Sequence, residues 1–261
     1  MIGKPGPAKT AIAAADAAGV NIRGRDLVAD LMGRLTFTEF FYLLMTGREP
    51  TADQRYFLDL LLLSIAEHGL VPTAVAARMT YDAAPDSLQG AVAAGILGAG
   101  TVVLGTAELC GKVLTEAAGR LADGVDPARA AAAVAAEIHG RGEKMPGFGH
   151  PLHKPIDPRA ERILALAEER GVAARHVVLA RAFVPAVKAV WGRPLPMNVS
   201  MAIAALLLDL DFPAAMIKAV PLLARTAGLL AHLAEEQERP IGFVMASAAE
   251  DAIAYDGKKD A

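Results

Sequence analysis

The chain has 261 residues, a net charge of −3 and a single cysteine, Cys110. A chain of this length can bury a large core without a metal or a disulfide, and its slightly acidic balance argues against a nucleic-acid partner. One cysteine excludes an intrachain disulfide and any cysteine-rich metal site, which fits a reducing, cytoplasmic compartment. Aromatic residues make up 5% of the chain and hydrophobic residues 54%, a balance that favours closely packed helices over a membrane protein.

Both ends of the chain are expected to be irregular. The first 25 residues contain glycine, proline and two lysines, and they predict an extended arm that turns at 21–25. This arm has no leucine-type apolar core of the kind that marks a secretory signal. The last twelve residues, 250–261, are polar and are expected to be loosely held.

Two capping boxes mark the first helices. Thr36 with Glu39, and Thr51 with Gln54, have the spacing at which two residues satisfy each other's free backbone N–H groups. The first box predicts a helix that ends at Gly47, because glycine favours the left-handed C-cap. The second predicts a longer helix that runs to 68.

An uncharged stretch of 21 residues, 87–107, is long enough to span a bilayer on length alone. It contains five glycines, which count against a lone membrane span and allow close contact between buried helices. A helix that is apolar on every side is also expected in the middle of a large assembly. We therefore expect a buried helix here and no membrane association.

Helical spacing of apolar residues continues through the rest of the chain. No run of alternating apolar and polar residues bounded by turn signals requires a sheet. The fold class predicted from these patterns is all-α. The further predicted helices lie at about 73–82, 108–122, 126–139, 158–170, 174–191, 197–210 and 214–236.

The densest set of chemically useful side chains lies in residues 145–159. Gly147 and Gly149 allow backbone N–H groups to approach a ligand closely, and the prolines at 151, 155 and 158 stiffen the segment. Asp157 precedes Pro158 in the arrangement of an N-cap followed by the first helical residue, which predicts a helix directly after the loop. The segment has the features of a binding loop.

Arg159 lies in the first turn of that helix. Its guanidinium group and the positive end of the helix dipole both favour an anion such as a carboxylate or a phosphate. Alternatively, Arg159 pairs with Asp157 or Glu161 on a solvated surface, since exposed ion pairs are common. The spacing alone leaves both alternatives open.

Three segments in the same order resemble those of the citrate synthase superfamily. The loop reads Gly147-Phe148-Gly149-His150 with Asp157-Pro158-Arg159, which resembles the signature of the family. Residues 21–47 are similar to its arginine-glycine turn and the helix behind it. Residues 222–240 resemble its C-terminal helix and arginine-proline ending. The resemblance extends over most of 21–243.

The resemblance implies an all-helical subunit with two domains that forms a homodimer through buried helices. The large helical domain would comprise 1–108 and 208–261, and the small domain on the coenzyme A side would comprise 109–207. The apolar stretch 87–107 would then belong to the core and the dimer interface.

The resemblance also implies a site in the cleft between the domains. His150 would be catalytic and contact the oxygen of a 2-oxo acid. Coenzyme A would be held by Met145, Pro146, Gly147, Phe148, Gly149 and Lys154. Di- or tricarboxylate substrates would be bound by His68, Arg159, Arg225 and Arg239, the last of which would reach across the dimer. Arginine suits this task because its fork binds carboxylates in a bidentate manner.

Two family positions are altered, and both belong to the enolising half of the reaction. Leu104 stands where synthases carry a histidine that steadies the enol oxygen. Ser200 follows Asn198 and Val199 where synthases carry an aspartate base, and an unassisted hydroxyl is too weak a base for a thioester methyl group. The chain therefore resembles most the short members of the superfamily, the citryl-CoA lyase type.

The predicted activity is cleavage of a citryl-CoA-like thioester to acetyl-CoA and oxaloacetate, with neutral His150 as a possible base for the hydroxyl proton. The alternatives are condensation of an acyl-CoA with a 2-oxo acid, a catalytically altered protein that binds coenzyme A or carboxylates, and processing of a larger acyl-CoA. His153 follows His150 by three residues, a metal-like spacing, but without a third histidine in the pattern no metal is expected.

Overall fold

The computed structural model describes residues 8–121 and 124–257. Helices dominate this part of the chain, so the all-α prediction is confirmed. In the first half, the α-helices are α1 (Phe37–Thr46), α2 (Ala52–Ala66), α3 (Pro72–Ala83), α4 (Leu88–Leu97) and α5 (Thr106–Leu121). In the second half, they are α6 (Pro127–Gly140), α7 (Pro158–Glu169), α8 (Arg175–Trp191), α9 (Val199–Asp209), α10 (Ala219–Glu238) and α11 (Gly242–Ala252). A single π-helical turn (Leu27–Leu31) and a short 3₁₀ turn (Ala214–Met216) complete the helical elements.

Local signals placed most helix starts correctly. Both capping boxes form, with Thr36 and Thr51 as N-caps, and Gly47 adopts the left-handed conformation at the end of α1. Asp157 caps α7 and Pro158 is its first residue. However, α2 ends at Ala66, so His68 lies in the turn after the helix and not within it.

The N-terminal arm contains a small sheet that the sequence did not predict. Three antiparallel strands, β1 (Ala13–Ala15), β2 (Val20–Ile22) and β3 (Arg25–Asp26), pair in sequence order. Strands of two or three residues are too short to show an alternating pattern, which explains why the expectation of no sheet was wrong in this segment.

The uncharged stretch 87–107 is not one helix. It comprises α4, a turn over 98–105 and the first residues of α5. Leu104 has a left-handed φ of 64°, which interrupts helical geometry within the turn. Ala214–Glu238 does meet the length and hydropathy criteria of a membrane span. A helix in a globular core meets the same criteria, and this one packs against α2, α3 and α4.

Two groups of helices surround the site. On one side, α5, α7 and α8 pack against α9, and α6 packs against α5 and α8. On the other side, α3, α4 and α10 pack against one another, and α11 packs against α3. Helix α2 contacts both α9 and α10, and one hydrophobic core extends from α2 through α5 to α9. The division into domains at 108–109 and 207–208 stays a prediction. The C-terminal helix α11, which includes part of the segment expected to be loose, was not predicted.

Candidate active site

A cavity of about 320 Å³ lies where the two helix groups meet. It is bounded by the ends of α2 and α10, the turn before α5, the loop before α7 and the start of α9. Seven residues singled out from the sequence line it: His68, Leu104, Gly149, His150, Arg159, Ser200 and Arg225. These residues span 158 positions of the chain, so their convergence is a property of the fold.

The loop at 145–149 is fixed to the segment before α9. Gly147 has a φ of +77°, and a Cβ atom there would lie 2.7 Å from the Cys110 sulfur, so only glycine fits this conformation and contact. The Gly149 N–H donates to the Pro196 carbonyl at 2.7 Å. The Asn198 side-chain amide donates to the Gly149 carbonyl at 3.0 Å. Asn198 is thus an organising residue that the sequence analysis did not identify as one.

These contacts limit which loop residues can reach a ligand directly. Met145 and Gly147 are buried in the protein core, and the Gly149 N–H is already bonded to protein. Lys154 is exposed and does not line the cavity. A role of residues 145–149 and Lys154 in coenzyme A binding therefore stays a prediction.

The hydrogen bonds of His150 define its tautomer. Its Nδ1 accepts the backbone N–H groups of Leu152 at 3.1 Å and of His153 at 2.9 Å. A nitrogen that accepts carries a lone pair, so these two bonds favour the neutral ring with its proton on Nε2. Nη2 of Arg159, which can only donate, lies 3.4 Å from Nε2 of His150, and this longer contact favours the opposite tautomer less strongly than the two shorter bonds favour this one. Burial, followed by the nearby His153, lowers the pKa of His150 and favours this neutral form.

His150 is consequently built to donate a hydrogen bond from Nε2, not to accept a proton there. This agrees with the predicted contact to the oxygen of a 2-oxo acid. It disfavours neutral His150 as the base for the hydroxyl proton, because the lone pair of this tautomer accepts two backbone N–H groups. The role of His150 as a base stays a prediction.

Arg159 both forms an ion pair with Asp157 and lines the cavity, so the two alternatives left open by the sequence apply together. Its Nε and Nη2 donate to the two oxygens of Asp157 at 3.1 and 2.9 Å. Asp157 is fully buried and also accepts the Val199 N–H at 3.1 Å. Burial alone would raise the pKa of Asp157, but Arg159 outweighs this effect and the pKa lies below its usual range. The ion pair holds one edge of Arg159, and the side chain still lines the cavity.

We expect Arg159→Lys to weaken carboxylate binding by about 10-fold or more, although the charge is kept. The reason is that a lysine ammonium cannot pair in a bidentate manner with Asp157 and present a second fork edge to a ligand. Calorimetric titration with citrate measures the effect. Arg170→Lys is the control, because Arg170 pairs with Asp53 on the surface. Equal citrate affinity of wild type and Arg159→Lys would contradict the assignment.

Arg225 is a buried cation with donors that the protein leaves unused. It is 2% exposed, and its Nη2 donates to the Ile65 carbonyl at 3.3 Å. Its Nε and Nη1 have no partner among the described residues. Burial lowers the pKa of Arg225, although nearby Glu67 partly compensates. An unpaired buried cation is costly, and a ligand carboxylate in the cavity would satisfy it.

A close helix contact brings Arg225 next to His68. A Cβ atom at Gly228 would lie 2.2 Å from the Ala66 carbonyl oxygen, so α10 and the end of α2 can meet only because residue 228 is glycine. Glu67 then accepts the backbone N–H groups of His68 and Gly69, each at 2.7 Å. These bonds fix the turn that carries His68.

Arg239 is not in the cavity of this protomer. It is the C-cap residue of α10, it is exposed, and its carbonyl accepts from Arg78 at 3.4 Å. Its predicted reach into a partner subunit's site stays a prediction.

The two altered family positions both face the cavity. Leu104 is 8% exposed and forms part of an apolar wall with Ile65 and Val71. Ser200, in the first turn of α9, also lines the cavity. Neither side chain can replace the chemistry of the residue expected from the family, since a leucine donates no hydrogen bond and an unassisted serine is a poor base.

His68, His150 and His153 form a cluster in which one ring nitrogen from each residue lies within 4.8 Å of the other two. The sequence argument against a metal relied on the lack of a third histidine, and that reason was wrong, because the fold supplies His68. His150 is nevertheless poorly suited as a ligand, because its lone pair already accepts two backbone N–H groups. The absence of a metal stays a prediction.

Comparison with known proteins gives the same family from most of the chain. The family model "Citrate synthase, C-terminal domain" matches residues 8–242. The putative citrate synthase 2 of Mycobacterium tuberculosis (strain ATCC 25618 / H37Rv) is 32% identical over 204 residues, which are 74% of this chain and 51% of that protein. The citrate synthase of Saccharolobus solfataricus is 28% identical over 214 residues, 79% of this chain and 55% of that protein. The chain thus spans about half the length of the curated relatives it matches.

A solved structure matches over nearly its full length. Citryl-CoA lyase from Hydrogenobacter thermophilus superposes with a TM-score of 0.86 at 28% identity, covering 98% of this chain and 96% of that one. ATP citrate lyase from Methanothrix soehngenii, in complex with citrate and coenzyme A, gives a TM-score of 0.77 at 21% identity and covers 99% of this chain but 43% of that one. The second match shows a shared fold.

Proposed function

The chain belongs to the citrate synthase family, and from that premise we propose that it cleaves a citryl-CoA-like thioester to an acyl-CoA and a 2-oxo acid, with acetyl-CoA and oxaloacetate as the simplest products. The full-length match to a citryl-CoA lyase structure supports the lyase type. Coenzyme A is therefore proposed as part of the substrate. A homodimer and a cytoplasmic location remain part of the proposal.

The observation that carries this proposal is the buried, incompletely bonded guanidinium of Arg225 in the same cavity as the His150 donor. A carboxylate beside Arg225 and Arg159 would place the adjoining carbon and its oxygen near Nε2 of His150. The proposed substrate has this arrangement, a carboxylate next to a carbon that carries a hydroxyl.

His150 stabilises the negative charge on that oxygen in both directions of the reaction. During cleavage, negative charge resides on the oxygen once the hydroxyl proton leaves, and the Nε2–H of His150 donates to it. During condensation, the same donor would polarise the carbonyl of the 2-oxo acid. The site therefore retains the half of the chemistry that handles the oxo acid.

Cleavage is proposed as the working direction because of the similarity to a citryl-CoA lyase structure over nearly the whole chain. Condensation must first remove a proton from the weakly acidic thioester methyl group, which demands a positioned base. Cleavage removes a hydroxyl proton first, and it ends with the return of a proton to the enolate carbon, which is the reverse of that deprotonation. The absence of a carboxylate at Ser200 therefore affects both directions, and another group must exchange this proton.

There are two alternatives to this function. One is an enzyme that condenses an acyl-CoA with a 2-oxo acid, and the other is a catalytically altered protein that only binds coenzyme A or carboxylates. Assays of purified protein in both directions, combined with calorimetric titration of coenzyme A and citrate, separate the three. The proposal expects turnover of citryl-CoA to acetyl-CoA and oxaloacetate, whereas a synthase would form citrate and free coenzyme A from acetyl-CoA and oxaloacetate. Binding of both ligands without turnover in either direction would show that the chain is a binder and contradict the proposal.

A further inference from the structure

Cleavage of a tertiary alcohol needs a proton acceptor, and most candidates in the cavity are already engaged. The lone pair of His150 accepts two backbone N–H groups. Both oxygens of Asp157 accept from the Arg159 side chain, and each also accepts a backbone N–H. Ser200 is too weak a base without assistance. Among the described residues that line the cavity, this leaves the imidazole of His68.

The ring of His68 contacts the ring of a second histidine, His153. Its Nε2 lies 3.4 Å from Nε2 of His153, so one of these nitrogens donates and the other accepts. His68 lines the cavity, whereas His153 does not. Since Nε2 of His68 is engaged by His153, Nδ1 is the nitrogen left for a ligand.

The loop itself ties His153 to the catalytic histidine. The backbone N–H of His153 is one of the two donors to His150, and the two rings have centroids 4.3 Å apart. A single short segment thus donates to His150 from its backbone and contacts His68 with its side chain.

We propose that His68 is the proton acceptor for the substrate hydroxyl. His153 is a positioning residue for it: His153 accepts the Nε2–H of His68, and the lone pair of the His68 ring is therefore on Nδ1. This inference rests on the proposed lyase function and deepens it. The residue it adds, His153, carries no role in the function proposed above.

The step balances without any further reactant. The hydroxyl O–H bond of the substrate breaks and its proton moves to Nδ1 of His68, which becomes an imidazolium whose Nε2–H remains bonded to His153. The carbon–oxygen bond becomes a carbonyl as the adjacent carbon–carbon bond breaks, and that electron pair forms the thioester enolate. His68 then returns the proton to the enolate carbon, directly or through water, which yields the acyl-CoA and the neutral imidazole.

The charges around His68 agree with a neutral resting state. Burial lowers its pKa most, and Arg159, His153 and Arg225 lower it further, while Asp157 opposes them. His150 is the other titratable group that faces it, with ring centroids 5.6 Å apart. The base is therefore unprotonated at neutral pH, and activity should decline as the pH falls and His68 becomes protonated.

The test compares His153→Phe and His153→Gln in the full chain, with His139→Gln as the control, because His139 packs on Trp191 away from the cavity. All three variants keep the backbone N–H that His150 requires. We expect the kcat for citryl-CoA cleavage to fall about 100-fold in His153→Phe, within the range for a disturbed acid–base group, with KM changed by less than about threefold. Glutamine offers a carbonyl oxygen to the Nε2–H of His68, so His153→Gln should recover about 10-fold of that loss.

The pH dependence provides the readout that a structural role would not change. In the neutral form that the proposal requires, His153 accepts the Nε2–H of His68 and stabilises its imidazolium form; only a protonated His153 would lower the pKa of His68. The acid limb of the kcat profile should therefore move to lower pH in His153→Phe and stay in place in His139→Gln. A His153→Phe enzyme with wild-type kcat and profile, or one that loses activity with an unchanged profile and no recovery in His153→Gln, overturns the proposal. So does a stoichiometric metal ion on the three histidines that activity requires. Wild-type protein that cannot cleave citryl-CoA would instead refute the proposed function.

Discussion

Replacing His150 by alanine is expected to lower the rate of citryl-CoA cleavage by about 10³-fold or more. The side chain supplies the one hydrogen-bond donor that the fold prepares for the hydroxyl oxygen, and loss of such a donor or general acid costs about 10² to 10⁴ in rate. Because the ring is partly exposed to the cavity and does not belong to the core, the fold should persist. Steady-state kinetics and circular dichroism measure the two expectations.

Two further variants separate the two ends of the His150 ring. Asparagine places an oxygen where Nδ1 accepts the backbone N–H groups, and glutamine places an N–H₂ group near Nε2. We therefore expect His150→Asn to preserve the loop and remain as inactive as alanine, and His150→Gln to recover part of the activity. A His150→Ala enzyme that cleaves citryl-CoA at the wild-type rate would contradict the assigned role.

Arg225→Met should have opposite effects on binding and on stability. We expect the affinity for citrate to fall by about 10²-fold or more, since charge-assisted hydrogen bonds contribute about 1.5–3 kcal/mol each. The free energy of unfolding of the unliganded protein should not fall and should rise by up to about 3 kcal/mol, because replacing an uncompensated buried charge by an apolar side chain is often stabilising. Calorimetric titration and denaturant unfolding test the two effects separately.

Arg78→Met is the matched control for this experiment. Arg78 is also 2% exposed, but it is paired with Glu235 and Glu236. Removing it leaves the buried carboxylate of Glu236 without its cation, so the free energy of unfolding should drop by about 3–5 kcal/mol. If Arg225→Met destabilised the unliganded protein as much as Arg78→Met, Arg225 would be a structural residue and not a carboxylate site.

The parts of the fold that were predictable depend on interactions within a few residues. The capping boxes at Thr36 and Thr51, and the Asp157-Pro158 start of α7, use side chains that bond to their own helix. Such signals can be recognised from a few neighbouring residues without knowledge of the fold. By contrast, the turn at 98–105 depends on a left-handed leucine at 104, a conformation that no local pattern predicts and that surrounding structure must impose.

The site shows the same distinction between local and long-range information. The family motif identified His150, Arg159 and Arg225, and all three line one cavity. The motif could not show which hydrogen bonds these three side chains form. Among the described residues Arg225 has one protein partner, the Ile65 carbonyl, and two unbonded nitrogens; the tautomer favoured for His150 depends on the course of the loop after it.

The cluster around His153 was not predicted for a related reason. The spacing of His153 from His150 resembles a metal pair, but no third histidine lies nearby in sequence. His68 is 85 positions away, and the turn after α2 brings it into contact. The sequence spacing alone could not show that the three rings meet.

The most direct test of the proposed function is the product analysis of citryl-CoA incubated with the purified wild-type protein. We predict release of acetyl-CoA and oxaloacetate in equal amounts, at a rate proportional to enzyme concentration and lost in His150→Ala. Release of free coenzyme A and citrate instead would indicate thioester hydrolysis, and no reaction at all would indicate a binding protein. Either of these two results would contradict the proposal that this chain is a carbon–carbon lyase.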